Sequence, residues 1–163
     1  GLDLTFLRGQ RGTLGLPPRQ VSVGHTEGRL IDSGDERIQR QLDAFRDAGM
    51  QVAIDDFGTG YSSLSYLRKF NIDFLKIDQS FVANLSPDGP DLALCEAVIL
   101  LAHKLGLRVV AEGIESREQY ELLAAAGCDY GQGYLFARPL APIDFEPLLA
   151  NGIDLRPAGR VVL

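Results

Sequence analysis

Cysteine is scarce. Cys95 and Cys128 stand far apart among 163 residues, with no CxxC and no clustered histidines, so neither a disulfide framework nor a zinc site is implied. A reducing cytoplasm is the economical reading. Long apolar runs are also missing: none approaches the ~18 to 20 residues of a membrane span, and the N-terminus lacks the charged and apolar regions of a signal peptide. No membrane contact is expected of this segment. Positive charge is in deficit as well. A net charge of −6 opposes binding to DNA, RNA or anionic lipid through bulk electrostatics, so any polyanionic ligand must be met by local cations or by metal. What is present is 45% apolar and 23% charged residues, with 18 Gly and 8 Pro spread along the chain, which excludes disorder and fibrous repeats. The length is one domain's worth of chain.

From Val21 onward, short apolar runs alternate with longer amphipathic stretches, the pattern of βα units. Strands are expected at Val21 to Val23, Val52 to Asp55, Phe74 to Ile77, Arg108 to Ala111 and Tyr130 to Tyr134, the last broken by glycine. Helices are expected at Gly34 to Ala48, where Ile38, Leu42 and Phe45 repeat before Gly49, and at Tyr61 to Arg68. A further helix covers Asp91 to Leu105, with Leu94, Val98, Leu101 and Leu105 at intervals of three or four before Gly106. Ser116 with Gln119 forms a capping-box pattern at the start of a helix running to about Ala126, and Pro142 to Ala150 is the last helix. Residues 1–15 show no period and stay unassigned, Leu16 to Gln20 reads as a Pro-Pro linker, and residues 151–163 are a tail.

Five strands alternating with helices imply an α/β protein with a mostly parallel sheet, either a doubly wound open sheet or part of a (β/α)₈ barrel. A whole barrel takes ~250 residues. The chain accommodates about five of its eight units.

Ionisable and amide groups follow the strands in a consistent way. Asp55 and Asp56 end the second strand, Lys76 and Asp78 the third, Glu112 and Glu115 follow the fourth, and Gln132 lies in the fifth. A parallel sheet brings such ends to one edge. Polar residues that merely mark where strands emerge into solvent remain the plain alternative. If Asp55, Asp56 and Glu112 converge, each pair at ~4 Å repels by ~4 kcal/mol at an effective dielectric near 20. Lys76 offsets part of that charge, and a divalent cation with oxygen ligands, Mg²⁺, Mn²⁺ or Ca²⁺, offsets the rest. Paired aspartates also suit two-metal hydrolysis of a phosphate ester, with Lys76 orienting water or balancing transition-state charge. Asp56-Phe57-Gly58 matches the kinase metal-binding triplet, but no HRD loop or GxGxxG accompanies it. Gly58 and Gly60 with Thr59, Tyr61, Ser62 and Ser63 make a hydroxyl-rich loop that either touches a ligand or simply connects strand to helix. His103 reads as solvated, and both cysteines as small packing residues.

DDFGTGYSSLSYL (Asp55 to Leu67), FLKIDQSFV (Phe74 to Val82), VVAEGIES (Val109 to Ser116) and AGCDYGQGYLFARPL (Ala126 to Leu140) resemble, in order, the EAL domain family of bacterial cyclic-di-GMP phosphodiesterases. The resemblance covers residues 16–150 and corresponds to the C-terminal part of that domain. It implies an incomplete TIM-type barrel and hydrolysis of cyclic-di-GMP to linear pGpG by metal-activated water. Mg²⁺ or Mn²⁺ would support that reaction and Ca²⁺ inhibit it. By resemblance, Asp55 and Asp56 are the metal-binding aspartate pair and Glu112 a metal-binding glutamate. Lys76 supports the nucleophilic water, Gln132 lies near the metals, and Asp78 and Glu115 are accessory. Phe57 to Ser63 is the mobile loop linked to dimerisation, anchored by Glu27.

The sequence also departs from the family. Its Glu-Ala-Leu segment and its metal-binding asparagine have no counterpart here, and Gly24-His25-Thr26-Glu27 stands where Glu-Ile-Thr-Glu is expected, so a ligand carboxylate becomes a glycine. These departures predict impaired catalysis in a truncated chain. A GGDEF or sensor domain upstream in the native gene and self-association through open barrel edges are further expectations. The competing reading is a non-catalytic cyclic-di-GMP receptor or protein-interaction module.

Overall fold

The computed structural model describes residues 22–26, 35–59, 67, 70–139, 141 and 143. Of the helix expected at 61–68 only Leu67 is included, and it is helical and buried. The stretch expected at 142–150 is described only at Ile143, and the unassigned N-terminal segment, the linker and the tail lie outside the described residues. The chain divides into two compact units, residues 1–76 with 104–107 and residues 77–103 with 108–163.

The first unit contains β1 (Ser22–Thr26), α1 (Asp35–Asp47), β2 (Gln51–Phe57) and β3 (Phe74–Ile77) up to Lys76. Ile38, Leu42 and Phe45, spaced by four and three, form the buried stripe of α1, which packs on β2. The helix stops where glycine was expected to stop it. Gly49 adopts φ 77°, its N–H donates to Arg46 O, and Met50 N–H reaches Phe45 O, the paired bonds of a Schellman ending. β1 and β2 run parallel in a register that sets Gly24 beside Ala53 and Thr26 beside Asp55. Of the strand expected at Val21 to Val23, Val21 lies outside the described residues, and β1 runs on three residues past Val23 to Thr26, while β2 extends through Phe57. In β3, Leu75 and Ile77 are fully buried while Phe74 and Lys76 keep partial exposure.

The second unit holds Ile77, α2 (Gln79–Ala83), α3 (Pro90–Lys104) through His103, β4 (Arg108–Ala111), α4 (Arg117–Ala125) and β5 (Tyr130–Gly131). β4 and β5 pair in parallel, Val110 beside Tyr130 and Ala111 beside Gly131. The Ser116 capping box forms as its spacing predicts, with Gln119 N–H donating to Ser116 Oγ and Gln119 Oε1 accepting from Ser116 N–H. α4 ends in a second Schellman arrangement, at Gly127.

Three expectations change. α3 buries Cys95, Val98, Ile99 and Ala102, whereas Leu94 and Leu100 face outward. A helix apolar on nearly every side gives periodicity too little contrast to select its inward face. β5 is two residues long rather than five, because the chain turns at Gly133. α2 was not anticipated, being too short to show a period. The thiols behave as packing groups: both are free, and burial pushes each up to about 11.

One device recurs at the N-terminal ends of the strands. Asp73, just before β3, accepts Val52 N–H on Oδ2 at 2.9 Å and lies 3.8 Å from Arg46 Nη1 in the last turn of α1. Asp129, just before β5, accepts Val109 N–H on Oδ2 at 2.8 Å, and the same oxygen lies 2.8 Å from His103 Nε2 near the end of α3. Because an ionised carboxylate only accepts, His103 Nε2 is the donor; the residue is exposed, as its reading had it, and gains this one partner. Each aspartate thus ties a strand start to its neighbour and to the preceding helix. Asp73→Ala and Asp129→Ala should each lower unfolding free energy by about 2 kcal/mol in urea titrations, since a half-buried strand N–H loses its acceptor. Asparagine, which retains an acceptor oxygen, should cost less.

Candidate functional site

In the first unit, Asp55 Oδ1 lies 2.9 Å from Lys76 Nζ, and the two side chains keep only 26% and 21% of their exposure. The oxygen itself is buried and takes no well-directed hydrogen bond among the described residues. Withdrawing a carboxylate from water costs several kcal/mol, and here the compensation is the ammonium charge. An anionic oxygen in that condition is the donor type that hard divalent cations use.

Asp56 follows in a left-handed conformation, φ 56°, which only Gly, Asn and Asp visit routinely. Its carbonyl accepts from Thr59 N–H at 3.3 Å and from Thr59 Oγ1 at 2.9 Å, and Gly58 is also left-handed at φ 97°. The β2 terminus is therefore bent sharply, with a carboxylate at the bend. Phe57, expected on the loop, is the last residue of β2 and is buried. Gly60, Tyr61, Ser62, Ser63 and Glu27 lie outside the described residues.

In the second unit, Glu112 leaves β4 half-buried, and its N–H donates to Ile77 O at 3.1 Å. Gln132 sits one residue beyond β5 rather than within it, its N–H donating to Ala111 O at 2.8 Å. The segments carrying these two residues are zipped together: Ile114 N–H donates to Gln132 O at 3.0 Å, and Leu135 N–H to Ile114 O at 2.9 Å. Gly133 makes the zip feasible, because a β-carbon there would collide with the Ile114 backbone. Glu112 and Gln132 are thus fixed at the C-terminal ends of two adjacent parallel strands.

Asp78 has a different employment from the one its position suggested. It is the N-cap of α2, accepting Ser80 N–H on Oδ1 at 2.9 Å. Hydrogen bonds from Ser80, chiefly from its side chain, hold the Asp78 carboxyl below its usual 3.8 despite the opposing effect of burial. The spacing Asp-x-Ser was the available signal. Glu115 precedes α4, exposed, with its N–H on Gln119 Oε1. Sequence reasoning also missed Tyr134, over whose ring the Arg138 guanidinium carbon lies 4.6 Å from the centroid. The four-residue interval between aromatic and arginine was the hint. Among the described residues no three His, Cys, Asp or Glu side chains gather as a metal site. The donors therefore fit a hard cation in kind, while their number leaves positions for water or ligand oxygens.

Each unit thus presents acidic or amide side chains at the C-terminal ends of its own strands, within an α/β arrangement. The chain belongs to the EAL domain family, which it matches over residues 5–139. That match begins ahead of residue 16 and stops before residue 150. It is 44% identical over 136 residues to the cyclic di-GMP phosphodiesterase NbdA of Pseudomonas aeruginosa, covering 83% of this chain and 17% of NbdA. Among solved structures, the EAL domain of Mycobacterium smegmatis DcpA superposes with a TM-score of 0.81 at 41% identity, covering 90% of this chain and 66% of that one. Klebsiella pneumoniae BlrP1, solved in manganese and calcium complexes with cy-diGMP, gives a TM-score of 0.74 at 39% identity, covering 83% of this chain and 34% of BlrP1. The chain spans less than a fifth of NbdA and just under two thirds of the DcpA structure.

Two outcomes follow from this geometry. Asp56→Gly should raise stability by about 1 kcal/mol in denaturant titration, because glycine accepts φ 56° without steric cost. Asp78→Ala should cost about 1 kcal/mol at pH 7 through loss of the cap. The folded-state pKa of Asp78 is depressed, so its contribution is present above 3.8 and fades as pH falls through the lower folded value. The gap between wild type and Asp78→Ala should therefore close in acid, as read from urea midpoints across pH 2 to 7.

Proposed function

We propose that the chain is a cyclic-di-GMP phosphodiesterase domain that opens the cyclic dinucleotide to linear pGpG. The observation that carries this reading is the Asp55–Lys76 pair, a buried carboxylate oxygen without a directed hydrogen bond at the C-terminal end of β2. The names of NbdA and of the BlrP1 complexes support the substrate and a divalent ion. In the reaction water adds to phosphorus, one P–O bond to a ribose oxygen breaks, and the departing oxygen takes up a proton.

Asp55 and Asp56 would hold Mg²⁺ or Mn²⁺, with Glu112 as a further ligand. The bound cations supply polarisation of the phosphoryl oxygen and a lowered pKa for water. Lys76 orients the attacking water and balances charge that grows on the phosphoryl oxygens. Gln132 offers an amide near that centre, Glu115 and Asp78 support the surrounding loops, and the segment from Phe57 to Ser63, with Glu27, responds to ligand. Ca²⁺ competes for the same oxygens and inhibits. The strands belong to a TIM-type barrel plan, and the domain works in the cytoplasm with self-association between copies. Two free cysteines, and the absence among the described residues of any helix long and apolar enough to cross a membrane, are compatible with that location.

Gly24 favours a second reading. It lies in β1 beside Ala53, two positions before the Asp55 level, and supplies no carboxylate. An impaired enzyme, or a receptor that binds cyclic-di-GMP without cleaving it, follows from that substitution. Conversion to pGpG by the purified chain with Mg²⁺ or Mn²⁺, measured by chromatography, should fall about a hundredfold or more in Asp55→Ala. A folded wild-type chain that turns over nothing with either metal refutes the enzyme. Calorimetric binding without turnover establishes the receptor, and neither binding nor turnover removes both.

A further inference from the structure

We propose that Gln119 is a positioning residue for Glu112 and Glu115, holding the five-residue strip that carries both carboxylates, an inference that rests on the reading of Glu112 as a metal ligand. The strip, Glu112 to Ser116, leaves β4 and enters α4. Gln119 stands half-buried in the first turn of α4, and its Oε1 accepts Glu115 N–H at 2.8 Å and Ser116 N–H at 2.9 Å. An amide oxygen has two lone pairs, and the strip engages both. A capping box needs only the second of these bonds. The first reaches one residue further back, into the peptide that joins Ile114 to Glu115.

The rest of the strip is held by main chain. Glu112 N–H donates to Ile77 O, and Gly113, left-handed at φ 74°, lies so close to α2 that a β-carbon there would fall 2.5 Å from the Gln79 β-carbon. On the other side Ile114 N–H donates to Gln132 O, and Ile114 O accepts from Leu135 N–H. The strip is thus gripped between residues 77–79 and residues 132–135, and Gln119 closes its remaining end. Among these anchors Gln119 is the one whose hydrogen bonds come from a side chain, so it is the one that a substitution can remove. A carboxylate serves a hard cation best when its support is fixed beforehand, and partners behind the ligands typically set metal affinity by roughly ten- to a hundredfold. Ser116 has a different task. Its hydroxyl takes Gln119 N–H at 3.2 Å, a bond inside the first turn of α4 that leaves the strip untouched. The two halves of the box are therefore separable: Ser116 Oγ caps the helix, and Gln119 Oε1 aligns the acidic strip.

Calorimetric binding of Mn²⁺ alone to the purified chain, with a urea midpoint for each variant, tests this division. Gln119→Ala should weaken Mn²⁺ binding about tenfold. Ser116→Ala removes the other half of the same box, so it should lower the urea midpoint comparably yet bind Mn²⁺ as wild type. Gln119→Glu, whose carboxylate still accepts both N–H groups, should bind at least as tightly as wild type. Half-saturating Mn²⁺ for pGpG formation should rise by the same factor in Gln119→Ala, with the maximal rate recovered at high Mn²⁺. Equal weakening of Mn²⁺ binding in Ser116→Ala and Gln119→Ala reduces the contact to helix stability and overturns the inference. Wild-type affinity in Gln119→Ala overturns it too, as does a Gln119→Glu chain that binds no better than Gln119→Ala, and each of these results leaves the phosphodiesterase reading intact. A wild-type chain that binds no Mn²⁺ removes Glu112 as a ligand, and the positioning role with it.

Discussion

A carboxylate that accepts the N–H of the neighbouring strand governs much of this architecture. Asp73 does it for β2 and β3, Asp129 for β4 and β5, and each is also tied to a helix C-terminus, through Arg46 or His103. The bond is modest in energy, but it favours the register that the buried faces also select. Side chains alternate along a strand, so a slip of one residue between β2 and β3 would set Leu75 rather than Lys76 beside Asp55. A hydrophobic side chain would then meet a buried, uncompensated carboxylate. The pairing of Asp55 with Lys76 at the C-terminal strand ends is therefore supported by a hydrogen bond made at the opposite ends.

Strain and unsatisfied polarity gather where the candidate residues are. Asp55 Oδ1 is buried without a directed hydrogen bond, Asp56 is left-handed, and Gly133 tolerates a backbone approach that no other residue would. Elsewhere the described structure obeys local rules closely: two Schellman endings, a complete capping box, and fully buried apolar positions in β3 and β4. Local departures of this kind cost stability and persist only where the surrounding structure over-determines them. They set Asp55 and Asp56 apart from Asp78, whose carboxylate is fully occupied in capping α2.

The legible parts of the sequence were those determined within a few residues. Gly49 and Gly127 marked helix ends because a left-handed residue is needed there, and Ser116 with Gln119 announced a helix start through two reciprocal bonds. β3 and β4 were bounded correctly because alternation and flanking polar residues agreed. The illegible parts depended on distant partners or on backbone angles. His103 meets an aspartate 26 positions away, so nothing beside it signals the pairing. The φ of Asp56 leaves no trace in composition, and the inward face of α3 was ambiguous because leucines surround it. Of the candidate site, the strand-end placement of Asp55, Asp56, Lys76 and Glu112 was readable from βα alternation. The Asp55–Lys76 pair, the Gly133 wedge and the Tyr134–Arg138 stack required coordinates.

The recurrence of the aspartate device makes each strand pair self-aligning. In Asp73-Phe74 and Asp129-Tyr130 an aspartate stands immediately before the aromatic residue that begins the later strand of each pair, and it holds the alignment bond. The alignment of each pair thus rests on a bond of its own, independent of the other pair.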